Sequence, residues 1–261
     1  MAGTRVRRAP PMFRPVEVRD IEHRTSRLLR VRLGGPELSD LDRPEPAASV
    51  RLLLPADGSG ELELPVWTGN EFRLADGRRP TIRTFTPRRY DRDQQELDVE
   101  VVLHEGGGAA SAWAQRVAPG DRAAVSGPGR GYAIDPAVTR FLLAGDETAI
   151  PAIDDLVGVI PPRAEIEVHI EVAEAGARLD LIAHPGLAVA WHVQRAGERP
   201  GERLVAAVTG ADIGDATAVW AAGEAAAVQR VRRHLFEERG MPRSQATIRG
   251  YWKHGRTAGE G

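Results

Sequence analysis

Between Val16 and Gly127, apolar residues recur at every second position in short runs. Leu29, Val31 and Leu33 alternate with Arg30 and Arg32 until Gly34-Gly35-Pro36 breaks the run. Val50 to Leu54 is a short apolar strand ended by Pro55-Ala56-Asp57-Gly58, and Pro80 to Thr86 is rich in the β-branched and aromatic residues that suit a pleated surface. Leu97, Val99, Val101 and Leu103 alternate with Asp98, Glu100, Val102 and His104, the pattern of a half-buried strand. Several short strands with turn residues between them predict a barrel or sandwich. Beyond a boundary near Pro136 to Thr139 the period changes. Arg140 to Gly145 is a continuous apolar strand, and Ile150-Pro151 opens a helical stretch through Leu156. Ala164–Val172, Leu187–Val193 and Val219–Ala222 read as further strands. The clearest helix spans Glu224 to Arg239, with Val228, Val231 and Leu235 at helical spacing and Gly240 placed for a left-handed C-terminal turn. Strands alternating with helices predict a mostly parallel sheet. The fold expected is therefore a β-barrel domain over 1–137 followed by an α/β domain over 138–261.

Composition narrows the chemistry. A content of 42% hydrophobic and 28% charged residues is that of a soluble globular protein, and a formal net charge of −2 gives neither nucleic acid nor an anionic membrane a net basic field to bind. Cysteine is absent, which excludes disulfides, thiolate zinc sites, iron–sulfur clusters and a cysteine nucleophile. Electron transfer would need a bound organic cofactor or an external partner. Arg7-Arg8 is followed by no apolar run, so a cytoplasmic location is expected. Of 35 basic residues only Lys253 is a lysine, so a single Arg carries little information.

Five stretches carry candidate chemistry. Arg83-Thr84-Phe85-Thr86-Pro87-Arg88 ends an extended run that Pro87 is expected to close; alternation puts Arg83 and Phe85 on one face, a cation beside a flat ring. His104 is expected to end a strand that runs into Glu105-Gly106-Gly107-Gly108-Ala109-Ala110-Ser111-Ala112-Trp113. There a glycine-rich loop would offer free N–H groups to a phosphate, with Ser111 capping the helix or bonding a phosphate oxygen. Ser126-Gly127-Pro128-Gly129-Arg130-Gly131 is a turn between domains. Gly145-Asp146-Glu147-Thr148-Ala149-Ile150-Pro151 stands where a nucleotide-binding fold has its first βα turn, yet Asp146 and Glu147 would repel a pyrophosphate. Gly250-Tyr251-Trp252-Lys253-His254-Gly255 sets two aromatics beside a cation.

Taken in order, these stretches resemble the siderophore-interacting protein family of FAD-dependent ferric-siderophore reductases, within the ferredoxin–NADP reductase-like two-domain flavoproteins. Arg83 to Thr86 is similar to the family's Arg-x-Tyr-Thr/Ser strand and His104 to Trp113 to its His-Gly-x-x-Gly-Pro-Ala-Ser-x-Trp segment. Gly145 to Pro151, Ala222-Gly223-Glu224 and Gly250 to Gly255 match later family turns. The resemblance implies that Arg83 holds the FAD phosphates, that Phe85 lies against the isoalloxazine, and that Thr86 approaches flavin N5. It extends the cofactor set to Thr84, Val101, His104, Gly107, Ala109, Ala110, Ser111, Asp146, Thr148 and Trp252. Arg51, Arg130 and Lys253 match basic positions that would attract an anionic ferric siderophore. NADH or NADPH would reduce the flavin, which then passes electrons singly to Fe(III); reduced ferredoxin is a second candidate donor, and the protein is expected to act as a monomer. Phe85 replaces the family's Tyr, which keeps the stacking face and loses a hydroxyl, so weaker FAD retention or a shifted potential is expected. Glu105 and Ala109 replace Gly and Pro. A flavin reductase for quinones or free flavin, and a non-catalytic siderophore or flavin binder, stay open as alternatives.

Overall fold

A computed structural model describes residues 12–55, 61–104 and 108–255. Its first half is an antiparallel sheet of β1 (Arg14–His23), β2 (Leu28–Gly34), β3 (Val50–Leu54), β6 (Thr81–Phe85), β7 (Pro87–Asp91), β8 (Glu96–Val102) and β9 (Arg122–Ser126), with β4 (Val66–Trp67) and β5 (Phe72–Arg73) forming a separate hairpin. The order β6-β3-β9-β1-β2-β8-β7 puts β6 and β7 at opposite edges, although only Thr86 separates them in the chain. Consecutive Cα atoms are about 3.8 Å apart, so the sheet must curl until its edges nearly meet. The result is a half-barrel rather than a fully hydrogen-bonded one. Its inner face buries Val18, Val31, Leu33, Leu52, Leu97 and Val99, and the short helix α1 (Ala109–Ala114) closes one end with Trp113.

The second half is a parallel sheet of β10 (Arg140–Asp146), β11 (Glu165–Val172), β12 (Leu187–Val193), β13 (Thr217–Glu224) and β14 (Ala246–Trp252), in the order β12-β11-β10-β13-β14. Helix α2 (Ile150–Val159) covers the face carrying Phe141, Leu143, Val168, Ile170 and Trp220. Helices α3 (Glu202–Gly210) and α4 (Ala225–Arg233) cover the face carrying Leu142, Ala144, Val219 and Ala221. Both faces of β10 and β13 are therefore buried, which is why they read as continuous apolar runs.

Several expectations need correction. The strand read through His104 ends at Val102, and His104 lies exposed beyond it. The polar face of that strand is also buried, because Asp98 and Glu100 (3% and 9% exposed) lie under Arg32 and Arg30 of the neighbouring β2. Pro87 does not simply close β6; it opens β7, where its missing N–H costs nothing at a sheet edge. The C-terminal helix begins after Glu224, which caps it through Ala227 N–H, and its last turn, His234–Glu238, is π-helical before Gly240 takes φ +69° as expected. Helix α3 was not anticipated, since its apolar residues form one short run, Leu204 to Val208, after a Gly/Pro-rich stretch.

Ion pairs and backbone contacts join the halves. Arg88 of β7 meets Asp154 and Asp155 of α2 and approaches Glu100. Arg27 holds both oxygens of Glu147 at 3.0 and 3.1 Å. Arg249 of β14 donates to the carbonyls of Ala47 and Gly131. The half-barrel thereby stands against the carboxyl ends of the parallel strands.

Candidate functional site

Arg83 is half-buried on β6, an edge strand whose only sheet neighbour is β3. Its guanidinium donates to the carbonyl of Ile82 at 2.8 Å and forms no ion pair among the described residues. Burial lowers its pKa, so this is a cation partly stripped of water with no carboxylate opposite it. Thr84 is exposed and pairs in register with Arg51, while Phe85 lies opposite Val50 and leans on the barrel core. Thr86 is buried at the gap between β6 and β7, and its side chain lies close enough to the Tyr251 hydroxyl to lower that group's pKa.

At the end of β8, Val101 points into the barrel core and is 1% exposed, so any ligand contact it makes runs through its backbone. Ser111 neither caps α1 nor points outward. Its hydroxyl accepts from His104 N–H at 2.9 Å and donates to His104 C=O at 3.1 Å, tying the two ends of the glycine loop together. Gly108 takes the N-cap position in extended conformation, with Ala109 and Ala110 half-buried after it. Gly107 lies outside the described residues.

At the carboxyl ends of the parallel strands, the acidic turn faces inward. Asp146 Oδ1 accepts from Thr148 N–H at 2.9 Å and from Thr148 Oγ1 at 2.5 Å; Oδ2 accepts from Glu224 N–H and Trp252 Nε1, each at 2.8 Å. Three sequence-predicted residues, Asp146, Thr148 and Trp252, thus form one hydrogen-bonded unit. Gly223 is required beside it: its φ is +151°, and a Cβ there would stand 2.5 Å from Asp146 Oδ2. Glu171 of β11 was missed by the sequence reading. Its carboxylate accepts from Gly201 N–H at 2.6 Å and Leu204 N–H at 2.9 Å, at the start of α3. Alternation along β11 marks Glu171 as facing away from Ile170, but nothing in the sequence shows which helix it meets.

Arg51, Arg130 and Lys253 are all exposed, and none forms an ion pair among the described residues. Arg51 sits between Thr84 and Ser126 in the sheet, and Arg130 lies just past the Gly127-Pro128 turn. Lys253 follows Tyr251 and Trp252, whose side chains reach Thr86 and Asp146.

Residues 17–132 match the family described as "Siderophore-interacting FAD-binding domain", and residues 138–255 that described as "Siderophore-interacting protein". The structure of a siderophore utilization protein from T. fusca superposes with a TM-score of 0.83 at 33% identity, covering 97% of each chain. An uncharacterized protein of Mycobacterium tuberculosis is 35% identical over 92% of this chain and 90% of its own length. The ferric vibriobactin reductase ViuB of Vibrio cholerae is 27% identical, over 88% of this chain and 85% of its own.

Proposed function

The chain belongs to the siderophore-interacting protein family, and from that premise we propose that it reduces ferric siderophores with a bound FAD. The observation that carries this reading is Arg83, a half-buried cation that has no anion partner among the described residues and is flanked by an exposed threonine and an aromatic ring. Such a strand fits a ligand that carries both phosphate and a planar ring. Arg83 would bond the phosphates, Phe85 and Thr86 would border the ring, and the backbone amides beginning at Gly108 and running into α1 would face the remaining phosphate oxygens. The flavin supplies a two-electron carrier able to deliver electrons one at a time, which is what Fe(III) requires.

The residues need to supply no iron ligand. Hard oxygen ligands hold Fe(II) more weakly than Fe(III), so reduction itself loosens the metal. What helps is positive charge beside the flavin edge, and Arg51, Arg130 and Lys253 are free to supply it. NADH or NADPH is the donor in this reading. A second reading of the donor rests on a separate observation: Asp146, Glu171 and Glu224 already occupy N–H groups at the helix starts where a pyrophosphate would be held. This favours a donor recognised by other means, such as reduced ferredoxin.

The test is an absorbance spectrum of the purified protein followed by anaerobic addition of NADH, NADPH or reduced ferredoxin. Flavin bands that bleach and then return on adding a ferric siderophore, with Fe(II) captured by a chelator, are expected. A protein that takes up no flavin even when reconstituted with FAD, or a reduced flavin that ferric complexes do not reoxidise, overturns the proposal.

A further inference from the structure

The buried carboxylates of the described residues fall into two groups. Asp98, Glu100 and Glu147 are each paired with an arginine. Asp146, Glu171 and Glu224 form no ion pair and are held by neutral donors; Asp146, which is 8% exposed, takes four of them and is the one bonded to Trp252. Each of its oxygens takes two of those donors, and all four stabilise the ionised form. Burial works against that charge and raises the carboxyl's pKa, while the hydrogen bonds from Thr148, Trp252 and Glu224 oppose the shift.

The surroundings of this anion connect it to the candidate flavin strand. It grips Trp252, the residue after Tyr251, and the Tyr251 hydroxyl lies beside Thr86 at the gap in the half-barrel. Burial holds the Tyr251 hydroxyl above its usual range; Thr86 and Arg249 work against it, and the charge of Asp146 adds to it more weakly. Asp146 lies one hydrogen bond from the residue beside Tyr251, in a buried setting that screens charge far less than water does.

We propose that Asp146 sets the reduction potential of the bound flavin, its uncompensated negative charge making the ring harder to reduce and so a stronger reductant once reduced. The inference rests on the FAD reading above. Its use is plain, because iron held as Fe(III) by hard ligands accepts an electron only from a strong reductant. Asp146 touches protein groups alone, so it is a positioning and electrostatic residue rather than a catalytic one.

The experiment is a spectroelectrochemical titration of the FAD-loaded protein and its Asp146→Asn variant, which needs neither the natural donor nor a siderophore. The variant's potential is expected to rise by about 30 mV or more, a tenfold change in the two-electron equilibrium. Equal or lower potential in a variant that still binds FAD overturns the inference. Should Asp146→Asn fail to fold, Asp146→Ser removes the same charge with a smaller polar side chain; its potential is expected to rise, and a potential that stays or falls is the contrary result. Failure of the reductase reading would show separately, as a wild-type flavin of measurable potential that ferric siderophores do not reoxidise.

Discussion

Arg83 and Arg88 lie five positions apart in one run of sequence, yet their neighbours treat them oppositely. Arg88 is enclosed by Asp154, Asp155 and Glu100 and has no charge left to offer, whereas Arg83 keeps its charge and meets only a local carbonyl. Removing the first disturbs the protein; removing the second should disturb a ligand. Arg83→Gln is therefore expected to weaken FAD binding about 10- to 100-fold, the worth of charge-assisted hydrogen bonds to phosphate, while unfolding free energy stays within about 0.5 kcal/mol of wild type. Calorimetric FAD titration of apoprotein beside a denaturant melt checks both halves. Equal losses in affinity and stability would mean that Arg83 is structural.

At the scale of elements, carboxylates end the parallel strands and begin the helices. Asp146 serves the turn before α2, Glu171 serves α3 and Glu224 serves α4, each accepting N–H groups that a helix start leaves unpaired. Pyrophosphate sites in nucleotide-binding folds are made of those same groups, so here the sheet has spent them on its own side chains. Glu171→Ala should leave Gly201 and Leu204 N–H without their acceptor and cost about 1–3 kcal/mol in chemical denaturation. Glu171→Gln, which keeps one carbonyl oxygen, should cost less. A neutral Glu171→Ala would show that water or a shifted backbone replaces the carboxylate.

For the whole molecule, the contact between the halves depends on Arg88 reaching α2. Burial holds the Asp155 carboxyl up at about 7, above the range of a free aspartate, against the attraction of Arg88. A carboxyl whose pKa is higher folded than unfolded binds its proton more tightly in the folded state. Its stabilising effect is present below about pH 4 and is lost as pH climbs to about 7. Asp155→Asn cannot lose a proton, so its stability relative to wild type should rise between about pH 4 and about pH 7, by a few kcal/mol at most. Thermal melts of both proteins across that range test the sign, and a difference that stays flat or falls with pH contradicts it.

The sequence by itself determined the two-part architecture, most strands and the order of the flavin-associated stretches, because alternation and punctuation by Gly and Pro are local properties. Leu187–Val193 and Val50–Leu54 stand in the structure with the bounds read from the chain. Tertiary structure alone decided which polar residues remain free. Asp98, Glu100 and Asp146 read as solvent-facing or ligand-facing residues and are buried, because partners are supplied by other strands at separations of 66 to 106 residues. Ser111 reads as a helix cap and instead closes a loop, since the His104 backbone is brought to it only when β8 and α1 pack. A hydrogen bond depends on where both ends lie in space, and the chain pattern specifies only one end at a time.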